Sequence, residues 1–245
     1  LFKTKSNDYI ESVSMIENDR HTICISSQVG CSIDCDFCAT GKMGFVKNLT
    51  AGEIVDQFLQ LQKISDQKIT NVVFMGMGEP FLNYKNSITA ANLLHHPSGI
   101  NMAAWRVTIS TAGVAHKIKQ FSDERHPYKL AVSLNGSTQN QRLKTMPITK
   151  THSFPDLIKT SKDYAYHSKN RVTFEYVLLD GVNDDPKDAE KLNRLLNSIN
   201  CKLNVIPYNE IGGPYRRPSD LRIKTFLHPL KKASFPVTVR WSKGQ

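Results

Sequence analysis

Cys31, Cys35 and Cys38 stand in the run QVGCSIDCDFCATG, spaced C-x3-C-x2-C. Thiolates crowded onto one loop are metal ligands, and three of them leave a centre one ligand short of closure. Four-iron clusters are normally held by four thiolates, and structural zinc likewise takes four ligands. The triplet, with no fourth cysteine beside it, therefore predicts a 4Fe-4S cluster with one iron open for chemistry. A zinc site completed by a histidine or an aspartate, with Asp34 and Asp36 close in sequence, is the alternative reading, although zinc knuckles pair two C-x2-C units and this chain has one.

Other residues stand where β-like runs end. Gly76, Met77, Gly78 and Glu79, in FMGMGEP, offer backbone that a ligand can approach closely and a carboxylate for an ammonium. Ser110 in STAG, Ser133 in SLNGS and Asn209 in PYNEIGGP offer hydrogen bonds, and each taken singly is also an ordinary strand-end or turn residue. Cys24, on a β-like run, reads alone as a small buried apolar residue, and Cys201 is expected to pack.

The elements that must position these residues alternate. Strands are predicted over Thr22–Ser26, Asn71–Met75, Arg106–Ser110, Lys129–Leu134, Arg171–Leu178, Lys202–Ile206 and Pro236–Trp241. Helices are predicted over Thr50–Lys63, where Thr50 and Glu53 form a capping box, Phe154–His167, and Asp185–Asn197, with Pro186 in its first turn. YIESVSMI and HTICISS, separated by ENDR, read as a hairpin. Alternating βα units give an α/β fold with a parallel sheet, and six or seven strands predict a partial, open βα barrel with an N-terminal β-hairpin extension. We expect one domain overall, an extension over residues 1–20 and a core over 21–245. Reactive groups of such folds gather at the carboxyl ends of the strands, so five motif loops are expected to line one mouth.

Composition narrows the partners. Lys and Arg number 32 against 22 Asp and Glu in 245 residues, a net charge of +10 that favours a polyanion such as nucleic acid, with a solvated basic surface as the alternative. Five cysteines, three of them crowded, are no disulfide framework. No apolar run approaches the roughly 20 residues of a membrane span, and no leader opens the sequence, so the expectation is a protein of the reducing cytoplasm with no membrane partner.

The C-x3-C-x2-C loop resembles that of the radical S-adenosylmethionine superfamily. The runs CISSQVGCSIDCDFCATGKMGFVKNLT, VVFMGMGEPFLNY, RVTISTAGV, LAVSLN, MPI, LLDGVND, IPYNEIGGPY and VTVR, in this order, resemble the RlmN/Cfr family of RNA adenosine methyltransferases from about Glu11 onward. The resemblance implies a barrel of the radical SAM type, one 4Fe-4S cluster on Cys31, Cys35 and Cys38, and S-adenosyl-L-methionine on its open iron. It implies cofactor contacts at Gly78, Glu79, Ser110, Ser133, Leu134, Asn135 and Asn209; at Asn135 the family commonly has histidine, and asparagine keeps a hydrogen-bonding side chain.

Further roles rest on the same resemblance. Cys24 matches the family cysteine that helps to release product from a protein–RNA adduct, and Glu11 the glutamate that accepts a proton. The implied reaction methylates C2 of an adenosine in 23S rRNA and of the adenosine next to the anticodon in tRNA. A C8-methylating enzyme, another radical SAM enzyme, and a zinc-containing RNA-binding module are the alternatives. GMGEP followed by FLNY favours the C2 branch. Implied partners are 23S rRNA, tRNA and an electron donor such as flavodoxin or ferredoxin, with the protein a monomer. Lys42, Lys47, Arg216 and Arg217, with Phe45 and Tyr215 among them, are the expected RNA contacts. The family's methyl-carrier cysteine lies beyond VTVR, past Gln245, and its N-terminal RNA-binding region precedes Leu1, so the sequence is expected to be a piece of a longer protein, able to bind both cofactors without completing methyl transfer.

Overall fold

A computed structural model describes residues 1–241. A short antiparallel pair, β1 (Phe2–Lys3) and β2 (Tyr9–Ile10), comes first, and then the hairpin β3 (Val13–Glu17) and β4 (Arg20–Cys24). Its turn is built on Asn18 at φ 51, a left-handed conformation that asparagine tolerates. A second hairpin, β5 (Gln28–Gly30) and β6 (Phe45–Asn48), holds the cysteine loop and α1 (Ala39–Lys42) between its strands. Alternation follows: α2 (Ala51–Lys63), β7 (Asn71–Phe74), α3 (Tyr84–His95), β8 (Val107–Thr111), α4 (Ala115–Asp123) and β9 (Lys129–Ser133). After α5 (Gln139–Thr145) and α6 (Phe154–Ser168) come β10 (Val172–Leu178), α7 (Pro186–Leu196), β11 (Cys201–Pro207), α8 (Asp220–Leu227) and β12 (Val237–Val239).

Among the described residues, the main sheet has eight strands in the order β12-β11-β10-β9-β8-β7-β4-β3. The pairs β4–β7, β7–β8, β9–β10, β10–β11 and β11–β12 are parallel, and β3 joins β4 antiparallel. The βα alternation and the N-terminal hairpin are thus those predicted, and all seven expected strands form. The sequence reading did not find β5–β6, whose residues carry no alternation.

The chain divides into two compact units. One is Leu1–Asp34, Ala39–Thr111 and His126–Leu130; the other is Cys35–Cys38, Ala112–Arg125 and the chain from Ala131 onward. In the first unit, Ile23, Val72, Phe74, Val107 and Ile109 alternate along their strands and are buried, as are Ile54, Phe58 and Leu61 of α2. Burying each such side chain contributes about 1.5–3 kcal/mol. Thr50 caps α2 by accepting from Glu53 N while the Glu53 carboxylate accepts from Thr50 N at 2.8 Å, the capping box that its sequence predicts. In the second unit, Phe174, Tyr176, Leu203 and Val205 form the matching buried row, with Phe226 of α8 stacked on Tyr176 at 5.6 Å. Asp185 caps α7 ahead of Pro186.

Candidate functional site

In the first unit, the segment leading into the cysteine loop and the GMGE loop are fastened to each other. β4 and β7 are parallel neighbours, and their extensions continue the pairing, with Ile25 N donating to Val73 O at 3.0 Å and Gly76 N to Ile25 O at 3.0 Å. Side chains then take over. The Ser26 hydroxyl accepts from Met77 N at 2.8 Å, and Gln28 Oε1 accepts from Glu79 N at 2.8 Å. Gln28 also donates through Nε2 to Asn48 Oδ1 on β6 at 2.8 Å.

Close approach explains the glycines. Gly78 has φ +96, and a Cβ there would lie 2.8 Å from Gln28 N. A Cβ on Gly76 would meet the Ile25 carbonyl at 2.8 Å. Glu79 is 3 % exposed, and its carboxylate accepts from Phe81 N at 2.9 Å. Asn83 closes the arrangement by donating to Ser27 O at 2.8 Å and Leu49 O at 2.7 Å.

The loop that carries the three thiols starts where β5 stops. Cys31 N donates to Gly44 O at 2.8 Å, and Gly30, at φ +71, lies with its α-carbon directly against that carbonyl, where no Cβ would fit. Within the second unit, Cys38 N donates to Cys35 O at 3.0 Å and Asp36 N to Thr145 O at 2.9 Å, while Tyr215 donates its hydroxyl to Asp36 at 3.2 Å. None of the three cysteines is in a disulfide, and all are half-buried. Asp34 pairs with Lys42 at 3.7 Å on the surface, a contact worth under about 1 kcal/mol.

Cys24 ends β4, half-buried, with Val13 and Val73 as its Cα partners on either side. Glu11 is exposed; its carbonyl accepts from the Ser26 hydroxyl at 2.6 Å and its N–H points at the Met77 sulfur at 3.4 Å. Glu11 therefore sits beside the GMGE loop through the residue that anchors it. Cys201 is buried and desolvation pushes its thiol up to about 12, which agrees with a packing role.

In the second unit, the ends of the strands are organised by one side chain that the sequence reading did not single out. Arg142 is 0 % exposed, and its guanidinium donates to Leu134 O at 3.1 Å, Thr149 Oγ1 at 2.6 Å, Ser133 O at 3.3 Å and Ala112 O. Gly113 of STAG and Gly136 of SLNG both lie against it: a Cβ on Gly113 would meet Nη2 at 2.9 Å, and one on Gly136 would meet Arg142 N at 2.9 Å. Asn135 is 3 % exposed at φ 51, with Oδ1 accepting from Val177 N at 2.8 Å and Nδ2 directed at the Met146 sulfur at 3.4 Å. Its amide is thus engaged within the fold. Leu134 is buried, Ser110 and Ser133 are half-buried at their strand ends, and Asn209 is exposed just after β11.

The sequence from residue 25 to 192 matches the family model described as "Radical SAM superfamily". A protein of Leptospira interrogans named "Probable dual-specificity RNA methyltransferase RlmN" is 47 % identical over 229 residues, which cover 94 % of this chain. The chain spans 65 % of that protein's length. A protein of Aquifex aeolicus bearing the same name is 43 % identical over the whole of this chain and 72 % of its own. The chain belongs to the RlmN family of the radical SAM superfamily. A crystal structure of a radical SAM methyltransferase from Sphaerobacter thermophilus, 42 % identical, superposes with a TM-score of 0.95 over 99 % of this chain and 72 % of its own. The α/β sheet is therefore the partial barrel of radical SAM enzymes.

Membership in the RlmN family brings a 4Fe-4S cluster and S-adenosylmethionine as cofactors. The donor set fits the cluster: three cysteines on one loop, none in a disulfide, with a fourth iron position left for another ligand. Among the described residues, no three His, Cys, Asp or Glu side chains are gathered to hold a single metal ion. A cluster asks for something different, since each thiolate takes its own iron. Ser26, Gln28, Asn83 and Arg142 are the positioning residues that sequence reasoning missed. For Ser26, Gln28 and Asn83 the available signal was a polar residue inside a motif run, SSQVG or FLNY, whereas Arg142 stands in no such run.

Proposed function

We propose that the chain is the radical-forming part of an RNA methyltransferase that methylates C2 of an adenosine in 23S rRNA and in tRNA. The observation that carries this reading is the match along the whole chain to RlmN proteins, together with the GMGE loop fastened by Ser26 and Gln28 to the strand that enters the cysteine triplet. Bound together, the cluster and S-adenosylmethionine supply a 5'-deoxyadenosyl radical. The chain's own residues do the rest. Cys31, Cys35 and Cys38 ligate three irons, Glu79 takes the cofactor ammonium beside Gly78, and Ser110, Ser133, Leu134, Asn135 and Asn209 line the remainder of the cofactor. With its amide engaged elsewhere, Asn135 contributes backbone. Glu11 accepts a proton, and Cys24 resolves the adduct.

RNA binding draws on a net charge of +10 and on exposed Lys42 and Phe45 beside the cysteine loop. Lys47 contributes less, because Glu53 at 3.0 Å and Asp8 at 3.8 Å already hold it. Arg216 and Arg217 are likewise partly engaged, with Glu210 at 3.8 Å and Asp220 at 2.7 Å. Among the described residues no helix is long and apolar enough to cross a membrane. A monomer in the cytoplasm, reduced by a flavodoxin or ferredoxin, completes the reading. Mass spectrometry of RNA treated with the reconstituted full-length protein tests it: 2-methyladenosine is expected, and 8-methyladenosine alone, or no methylation, overturns it.

A further inference from the structure

The strands of the second unit have two faces. One carries Phe174, Tyr176, Leu203 and Val205, fully buried, with Phe226 of α8 against Tyr176. The register puts a polar row on the other face: Ser133 of β9 is opposite Glu175 of β10, which is opposite Asn204 of β11, which is opposite Thr238 of β12. The row is wired in one direction. The Thr238 hydroxyl donates to Asn204 Oδ1, and Asn204 Nδ2 donates to Glu175 Oε1 at 2.9 Å. This fixes the carboxyl rotamer and leaves Glu175 Oε2 buried with no hydrogen-bond partner among the described residues, in a residue only 7 % exposed.

A buried carboxyl oxygen without a partner costs free energy, and more for an ion than for a neutral group. A fold that aims such an atom on the face turned away from its helices, at the level of a strand-end serine, is built to receive a polar ligand. Burial pushes the carboxyl above its usual range, while Asn204, Arg240 and Lys202 pull it back. A hydroxyl pair suits the unpartnered oxygen in either protonation state, because it donates to the ionised form and accepts from the neutral one. Acidic side chains take ribose hydroxyls in dinucleotide-binding folds for the same reason. An anion would be repelled by the ionised form.

We propose that Glu175 binds the ribose diol of S-adenosylmethionine through Oε2, held in place by Asn204 and Thr238. The inference rests on S-adenosylmethionine being the cofactor. An RNA nucleotide within a strand does not meet the requirement, since its 3' oxygen is esterified and only one hydroxyl is free.

The test is equilibrium dialysis of the full chain, cluster reconstituted anaerobically and no reductant added, against S-adenosylmethionine and its 2'-deoxy and 3'-deoxy analogues. Glu175→Gln is expected to keep iron content and fold and to bind S-adenosylmethionine about tenfold more weakly. At least one deoxy analogue is expected to bind wild type more weakly while losing little further on the variant. Asn204→Ala, which leaves the carboxyl present but unaimed, is expected to show part of the same loss and carries the comparison if Glu175→Gln does not fold. Affinity unchanged in the variants, or losses from variant and analogue that simply add, overturns the proposal. Wild type that binds no S-adenosylmethionine overturns the cofactor reading and the proposal with it.

Discussion

Gln28 Oε1 accepts the backbone N–H of Glu79 at 2.8 Å, so one side chain joins the strand that runs into the cysteine loop to the loop that carries the buried acid. The same amide donates to Asn48 on β6, so the hairpin that encloses the cysteines and the GMGE turn share a single hydrogen-bonded part. A displacement of either would be felt by the other. Buried and fully used on both ends, Gln28 has no shape-equivalent replacement among apolar residues.

Gln28→Leu is therefore expected to cost about 1–3 kcal/mol, the range for stranding a buried amide partner. Iron content should hold while affinity for S-adenosylmethionine falls, because Cys31 keeps its backbone bond to Gly44 whereas Glu79 loses its anchor. Urea unfolding, iron assay and dialysis read the three quantities separately. Equal loss of iron and cofactor would show that Gln28 supports the whole region without discrimination.

Much of this frame was legible beforehand. Strands such as β10 and β11 are apolar, β-branched runs, and the capping box of α2 and Pro186 of α7 announce helix starts by residue type and spacing. The small hairpin β5–β6 was not legible, since Gln28, Val29 and Gly30 are all buried and give no period-two signal. Arg142 was hidden for a related reason. A lone arginine in QNQRLK reads as a solvated helix charge, and only the meeting of Ala112, Ser133, Leu134 and Thr149 around it reveals a buried clamp. Contacts separated by up to 30 residues leave no local pattern in sequence.

Arg142→Met keeps the volume of the stem and removes every donor from four acceptors, so it is expected to destabilise by about 3 kcal/mol or more. Arg142→Lys keeps charge but loses the planar fork, and is expected to fall between wild type and Arg142→Met. Thermal unfolding of the three proteins ranks them. A lysine variant as stable as wild type would show that charge alone, and not the fork against Gly113, holds the strand ends.

Glu175 makes stability depend on pH with a definite sign. Its carboxyl is raised above 4.5 by burial, so between 4.5 and that higher value the folded chain binds more protons than the unfolded one. The stability this confers is complete below pH 4.5 and is lost as pH rises through the folded value. Glu175→Gln has no such loss. In the absence of cofactor it is expected to match or exceed wild type at pH 7, with the difference moving against the variant as pH falls toward 4.5. Urea unfolding across that range checks it, and a wild-type curve parallel to that of the variant would show that the carboxyl ionises freely in the fold.

The five cysteines should separate by chemistry in a single alkylation experiment. With its thiol pushed up to about 12 and its side chain buried, Cys201 carries almost no thiolate at pH 8 and is expected to stay unmodified in any folded state. Cys24, Cys31, Cys35 and Cys38 are half-buried and not in disulfides, so all four are expected to react with iodoacetamide in the protein without cluster. Reconstitution with iron and sulfide should then protect three and leave Cys24 reactive, because a thiolate bound to iron is no longer a free nucleophile. Peptide mapping by mass spectrometry gives the pattern directly. Protection of Cys24 along with the loop would make it a fourth iron ligand and remove it from the release of product, whereas its selective modification in the iron-loaded protein keeps the ligand set at Cys31, Cys35 and Cys38.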